Sequence, residues 1–479
     1  MPSLSDSSPS PIRVIADHEL NSAIALLHDL IPQDQLQVYS LRHSPATVYT
    51  TLATLWMLTL QRLGGGTSLE NIVKETLENH PEIFPDNKRV REGMLSQNAS
   101  AFSAARQRLT LEQTESFVDG VSHSITHSYP HLEDLDLNNC LTQTQNTKTF
   151  IIDGTTFKLA PTSELCEVYP PATNQHGESV WPILMLTVAH EMRSGVALRP
   201  EFGAMYGDKN TSEAKQAMAM AKRIPTGSVV LADAGYGIFS VVHAMVQAGQ
   251  KILFRLTKSR FKSMHRKAEL INQTKTSRHF RLHWKPSAKD RQANPNLPAD
   301  AELFVDLHEI EIDNGELLYL VTNMSLDSKQ AGEWYAHRYD VEHDIRDIKV
   351  TLGVENIRAK SDAMVRKEVL CSMVAYNLVV QLRRVAAAKL KVPPRRLSFT
   401  GVWNTLEVCL LRTAAGDVRS WKERYAAAVN MAMKDKLPNR PGRNYPRQAH
   451  PKRPKSTKFM KQKSKEKHPP TKDNPSPDP

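Results

Sequence analysis

Tyr335, Arg338, Glu342 and Lys349 are spaced Y-x2-R-x3-E-x6-K. At about 100° per residue on a helix, the four side chains fall within a wedge of roughly 60°. One carboxylate, two cations and a phenol on one narrow face suit a metal-dependent enzyme that acts on phosphates. Trp334, Val341, Ile345, Ile348 and Leu352 form a second, adjacent wedge of roughly 60°, wholly apolar. A helix here docks its apolar side and holds Glu342 at the border between core and solvent.

Two aspartates complete a candidate site. Asp153 closes the β-branched run Phe150-Ile151-Ile152, before Gly154. Asp233 closes the buried run Ser228-Val229-Val230-Leu231-Ala232, before Ala234-Gly235-Tyr236. Three clustered carboxylates repel and raise one another's pKa unless a cation joins them. Hard oxygen donors select Mg²⁺ or Mn²⁺. Two such ions about 4 Å apart polarise the attacking and leaving oxygens of a phosphoryl transfer.

The elements that position these residues follow from periodicity. Residues 1 to about 140 read as helical. The run from Tyr49 to Leu63 ends at Gly64-Gly65-Gly66, and Thr67 with Glu70 has the spacing of a capping box. No strand precedes the glycines and no Gly-Lys-Ser/Thr follows, so they read as a helix junction rather than a phosphate loop. Strands are expected at 150–152, 180–188 and 195–202. A helix from Ser212, a strand at 228–232, a helix near Phe239 and a strand at 251–257 come next. This order is that of a ribonuclease H-like α/β core, with three early antiparallel strands and two later parallel ones. In such a sheet the first and fourth strands are neighbours, which brings Asp153 and Asp233 together. FRLHW at 280–284, the run 302–312 and the run 316–324 read as strands of an all-β insertion, with Asp313-Asn314-Gly315 as a hairpin turn. The insertion accounts for the 109 residues between Asp233 and Glu342.

Composition limits the partners. The net charge is +11, and residues 434–479 hold fourteen Lys or Arg against four Asp or Glu, with ten of the 29 prolines. Such a tail is expected to be a disordered polycation that holds nucleic acid without reading its sequence. Cys140, Cys166, Cys371 and Cys409 form no CxxC pair, which argues against a disulfide framework or zinc site and for a reducing cytoplasm. No run of 18 apolar residues or signal pattern is visible, so no membrane partner is expected.

With these residues in view, the chain resembles the DDE transposases of bacterial insertion sequences, in the insertion-sequence-four family. Tyr335, Arg338, Glu342 and Lys349 meet that family's signature without deviation. IIDGTTFKL resembles its first-Asp segment and VVLADAGY its second, although Ala234 stands where a larger residue is common. The long basic tail is atypical. The resemblance spans roughly residues 45 to 447. It implies that Asp153, Asp233 and Glu342 are the metal-binding catalytic triad, with Mg²⁺ or Mn²⁺, two ions, as cofactor. It also implies that Tyr335, Arg338 and Lys349 grip phosphates of a transposon end. The implied reaction nicks double-stranded DNA at the end, and the freed 3′-hydroxyl attacks the opposite strand and later target DNA. Synapsis of two ends implies a homodimer on DNA.

Six regions are expected. They are a helical DNA-binding or accessory region (1–145), the first part of the core (146–256), the β-rich insertion (257–327), the second part of the core with the Glu342 helix (328–390), a helical segment (391–433) and the basic tail (434–479). Arg255 and Lys258, beside the fifth strand, are candidates for phosphate contacts, and Trp284 for stacking on an unpaired base. Phe280, Leu282 and Trp284 alternate, which also fits a small core. Arg106 and Arg108 read as a solvated basic face that could cross DNA. Glu213 is explained by the helix N-terminus it occupies, or stands just behind the metal ligands. A nuclease of the same fold that does not join DNA, and a catalytically silent DNA-binding derivative, are the alternative functions.

Overall fold

Among the described residues, ten strands form one mixed sheet, and the site residues come from its middle. They are β1 (Thr149–Lys158), β2 (Pro171–Asn174), β3 (Gly177–Glu191), β4 (Glu201–Ala204), β5 (Val229–Ala232), β6 (Lys251–Arg255), β7 (Glu269–Gln273), β8 (Ser277–Trp284), β9 (Leu303–Glu311) and β10 (Leu317–Thr322). The computed structural model describes residues 43–128, 147–174, 177–208, 210–312, 315–411 and 421–438. Residues up to Leu437 belong to one unit, and Pro438–Pro479 to a second. The N-terminal 42 residues, most of the basic tail, Cys140 and the Asp313-Asn314 turn lie outside the described residues.

The sheet order is β2-β3-β1-β5-β6-β10-β9-β8-β7, with β4 also on β3. β1, β3 and β4 pair antiparallel, and β1, β5 and β6 pair parallel. The two early expectations of antiparallel and parallel pairing thus appear in one sheet. The strands of 257–327 do not stand apart, because β10 pairs antiparallel with β6 and carries β9, β8 and β7 outward. Nor is this segment purely β, since helices Lys258–His265 and Ala288–Ala293 connect its strands.

Alternation along β1 sorts its side chains onto two faces. Phe150 and Ile152 enter a core with Val230, Ala232, Ile252 and Phe254, covered by the helices Glu213–Met220 and Phe239–Gln247. Ile151 enters the opposite core, with Leu231, Leu253, Leu320, Trp334, Tyr335 and Val341. Asp153 follows Ile151 by two, so it shares the face on which the Tyr335–Val341 segment packs.

β1 differs from its expected form. Asp153 does not end the strand; it lies mid-strand, because antiparallel pairing with β3 runs on to Lys158↔Ile183. Continuous pairing with a 15-residue strand overrides the turn tendency of Asp-Gly. What does end is the parallel neighbour. β1 pairs β5 only as far as Ile151↔Leu231, so Asp153 stands beyond that edge, near Asp233 just after β5.

The remaining helices brace this sheet. Asp362–Leu390 has 22 buried residues and meets the helix Thr51–Leu63 in one core. It is apolar and long enough to cross a membrane by composition, but it is buried inside the protein. The helix after the triple glycine starts one residue later than expected, with Ser68 rather than Thr67 as its cap, accepting from the Asn71 N–H. Arg106 is not on a solvated or DNA-facing surface; it is buried and donates to Glu368 at 2.9 Å. Arg62 donates to the other oxygen of Glu368 at 2.5 Å. Cys166, Cys371 and Cys409 are free thiols.

Candidate active site

The segment carrying the four signature residues is helical but not one uniform α-helix. Ser328–Ala336 is α, His337–Tyr339 tightens to 3₁₀, Asp340–Arg346 is α, and Asp347–Thr351 widens to π. Such irregular turns re-aim side chains and occur often at functional sites. The apolar stripe docks as expected, with Trp334, Val341, Ile348 and Leu352 buried.

A buried ion pair fixes the segment from behind. Asp344, 1% exposed, accepts from Arg395 at 2.5 Å, and Arg395 also donates to the Met192 carbonyl. Burial opposes the Asp344 charge, but Arg395 and His190 hold its pKa below the usual carboxylate value. Nothing in local spacing marks this pair, because its partners lie 51 residues apart.

Asp347, at the first π turn, is also buried. Burial pushes its pKa up from 3.8 to about 6, with Arg383 opposing and Asp344 adding to the rise. A carboxyl raised in the folded state contributes fully below the unfolded pKa and loses that contribution as pH climbs through about 6. Asp347→Asn should therefore raise stability at pH 8 by up to about 3 kcal/mol, and change it little at pH 4. Urea unfolding of both proteins at the two pH values checks this.

On the opposite side of the segment, three carboxylates converge on one guanidinium. Arg338 donates to Glu342 Oε1 at 2.8 Å, and its Nη2 lies 3.6 Å from both Asp153 Oδ2 and Asp233 Oδ2. Arg338 is itself mostly buried, whereas the Glu342 side chain is 56% exposed. The three sequence-predicted carboxylates, drawn from β1, the end of β5 and the helical segment, thus meet at one point. Burial works against the Arg338 charge, yet Asp153, Tyr335, Asp233 and Glu342 keep its pKa raised. Burial raises the Asp153 pKa; Arg338 and the Gly154 N–H oppose this, while Asp233 and Glu342 add to it. The Gly154 N–H donates to Asp153 Oδ1 at 2.9 Å, and the Gly235 N–H donates to Asp233 Oδ1 at 2.8 Å. Short turns thereby aim both carboxylates.

The other signature residues surround this point. Tyr335 is 3% exposed; burial raises its pKa, with Arg338 and Arg255 opposing. Lys349 donates to Thr155 Oγ1 at 3.0 Å and to the Thr156 carbonyl at 2.9 Å, so it clasps β1 just past Asp153. It also lies 5.1 Å from the centre of the Phe157 ring. Burial lowers its pKa. Arg255, exposed at the end of β6, acts electrostatically on Tyr335. Lys258 is exposed at the start of the next helix. Trp284 packs edge-on to Phe239, with ring centres 5.3 Å apart, which uses its ring in the core.

A fourth carboxylate approaches the same strand. A Cβ at Gly154 would meet Glu213 Oε1 at 2.5 Å, so Glu213 fills the space above that glycine. Tyr236, in the predicted second-Asp stretch, is 1% exposed; burial raises its pKa, with Glu213, Asp153 and Asp233 adding to the rise and the Thr187 hydroxyl opposing it. The spacing of the sequence gives no sign of this convergence.

The donor chemistry suits a divalent cation, although among the described residues no three carboxylates are grouped as a metal site and Arg338 stands between them. Every donor is a carboxylate oxygen, which hard Mg²⁺ or Mn²⁺ prefers. Arg338 offsets one of the three negative charges around it, and the two that remain equal the charge of one such ion.

Known proteins resemble this chain in sequence. Residues 144–378 match the family described as the transposase DDE domain. That span takes in Asp153, Asp233 and all four signature residues, and over it the chain is similar to the DDE transposases. More particularly, it is similar to a transposase of the insertion-sequence-four type. It is 23% identical over 303 residues to the transposase InsG for insertion sequence element IS4 of Escherichia coli strain K12. That match covers 62% of this chain and 66% of the relative. A weaker likeness, TM-score 0.37 and 10% identity over 88% of this chain and 85% of the other, is to piggyBac transposase in a synaptic complex with hairpin DNA. A score that low carries no weight for the fold.

Proposed function

We propose that the chain cuts the ends of its own DNA element and joins them to target DNA by in-line attack on phosphodiesters. The observation that carries this reading is the meeting of Asp153, Asp233 and Glu342 around Arg338. The strand order, with three antiparallel and two parallel strands at the centre, supports a ribonuclease H-like core whose sheet the insertion extends. Asp153, Asp233 and Glu342 would hold Mg²⁺ or Mn²⁺. When bound, such ions activate a hydroxyl nucleophile and stabilise the leaving oxygen of a phosphodiester.

The protein's own groups do the rest. The glycine N–H donors beside Asp153 and Asp233 keep both carboxylates pointed inward. Arg338 is long enough to exchange its carboxylate partners for a DNA phosphate, a planar fork suited to either. Lys349, fixed to β1, presents a positive charge beside the cutting point, and Arg255 and Lys258 extend that charge along the sheet edge. The basic tail holds double-stranded DNA non-specifically. Two chains acting together would hold two ends. A DNA-processing role inside the cell suits the free thiols.

Lys349→Ala tests the assignment of the DNA face. End binding should weaken, and the dependence of log affinity on log salt should fall by about one. Mn²⁺ binding should be unchanged; loss of Mn²⁺ binding would contradict the division of roles. The function itself is tested by incubating the purified full chain with Mg²⁺ and DNA carrying the element's ends. Cleavage at the element boundary is expected, and its absence would favour a silent DNA-binding derivative.

A further inference from the structure

We infer that a basic groove at the far end of β1 holds the backbone of the DNA being cut, some nucleotides away from the phosphodiester that is attacked. The inference rests on the DNA-processing function proposed above and adds a binding surface outside the signature.

The groove consists of two hollows, of about 660 and 510 Å³, that share Arg358. The Glu342 segment leads into it along β1. Lys349 holds Thr155 and Thr156, and Ile348 and Leu352 share a core with Phe157. Residues 353–358 then reach the first hollow, beside Lys158. At about 3.4 Å per strand residue, Lys158 stands roughly 17 Å along β1 from Asp153. That is the rise of about five nucleotides of duplex DNA.

The facing wall is the triple-glycine junction, which the cutting site leaves without a role. Gly65 and Gly66 have φ of 72° and 77°, and Gly353 across from them has φ of 66°. A Cβ on Gly353 would stand 4.0 Å from the Gly65 carbonyl oxygen. Glycine alone makes such turns without strain, so these residues keep the two loops together and the groove narrow.

The walls carry an excess of cations. Lys158, Arg358 and Lys360 are exposed, and none of their side chains has an ion pair among the described residues. Arg106 lines the second hollow; its side chain is 10% exposed and its Nε has no hydrogen-bond partner. Glu368 lines that hollow too, but it is already shared by Arg62 and Arg106, which leaves one positive charge over. Glu355 is the carboxylate of the first hollow. Trp181, 46% exposed, adds a flat apolar face there on which a deoxyribose can lie. One small anion would need these cations converged on a point. Strung along a groove, they suit a polyanion with one charge per nucleotide. Continuity with the Lys349 side of the cutting site selects the DNA substrate over another acidic partner.

The test is binding of the full chain to duplexes carrying the element's end. Lys158→Ala combined with Arg358→Ala should weaken binding about tenfold. The slope of log affinity against log salt should fall by about two. Trimming one arm of the duplex from about ten base pairs beyond the cut to about three should cost the native chain a similar factor, and the double variant little. Lys289→Ala, an exposed lysine on the helix Ala288–Ala293, is the control and should change neither reading. The double variant should melt as the native chain does, because both side chains are exposed. Native affinity in the double variant overturns the inference, as does undiminished sensitivity to trimming. So does an equal loss per charge from Lys289→Ala, which would mark a general charge effect. If the native chain cuts the end and the double variant binds it as well as the native chain does, only the groove is lost. If the native chain neither binds nor cuts the end, the proposed function falls and the groove with it.

Discussion

Asp153→Asn and Glu342→Gln should each lower DNA cleavage by at least about a thousandfold, equivalent to some 4 kcal/mol of transition-state stabilisation, without unfolding the chain. Both changes keep the size of the side chain and remove one charge. Asp153 is held mid-strand by its pairing with Val188, and Glu342 lies half in solvent, so neither substitution leaves a cavity. Each removes one of only three carboxylates around Arg338. The net charge at that point then falls from −2 to −1, too little to hold a divalent ion firmly. Single-turnover cleavage of end-labelled DNA measures the loss. A variant within tenfold of the native rate would show that the convergence on Arg338 is incidental to the chemistry.

Glu368→Ala should lower stability by about 3–5 kcal/mol, a large share of the margin of a typical domain. Glu368 is 4% exposed and accepts from Arg62 at 2.5 Å and from Arg106 at 2.9 Å. Removing it strands two buried guanidinium groups with like charge. The three residues join the N-terminal helices to the long helix Asp362–Leu390, so the loss falls on the contact between them. Guanidinium-induced unfolding reads the change. A shift under about 1 kcal/mol would mean that water reaches both arginines and that the triad is no anchor.

Much of the site was legible because it lies in local spacing. The wedge of Tyr335, Arg338, Glu342 and Lys349 needs only helical periodicity, and the two aspartates each sit at the end of an apolar run. Their convergence follows from β1 and β5 being parallel neighbours. What spacing could not reveal depends on distant partners. Asp153 lies mid-strand because β3, a separate strand, continues to pair with β1. The 3₁₀ and π turns around Glu342 sit on a segment fixed by Asp344 to Arg395. Arg106 has the local look of a surface arginine, and becomes a buried one only because Glu368 lies 262 residues away. Trp284 met an apolar neighbour, Phe239, from a helix outside its own strand pattern. β2 and β7 escaped notice because neither has an apolar face of its own; β7 is exposed throughout.

The signature residues also divide differently than their shared wedge suggests. Tyr335 is buried in the core, Arg338 is bound by carboxylates, Glu342 is half exposed and Lys349 is tied to β1. One helical face thus presents its groups to four surroundings. The irregular turns between them are what allow this.

In the proposed function one carboxylate site both cuts and joins DNA. It is tested most directly by giving the purified full chain Mg²⁺, a pre-cut element end with a free 3′-hydroxyl, and a supercoiled target plasmid. Covalently joined end–plasmid product is expected from the native chain, and none from Glu342→Gln. Joined product from Glu342→Gln at the native rate, or cleavage without any joining by the native chain, would contradict it.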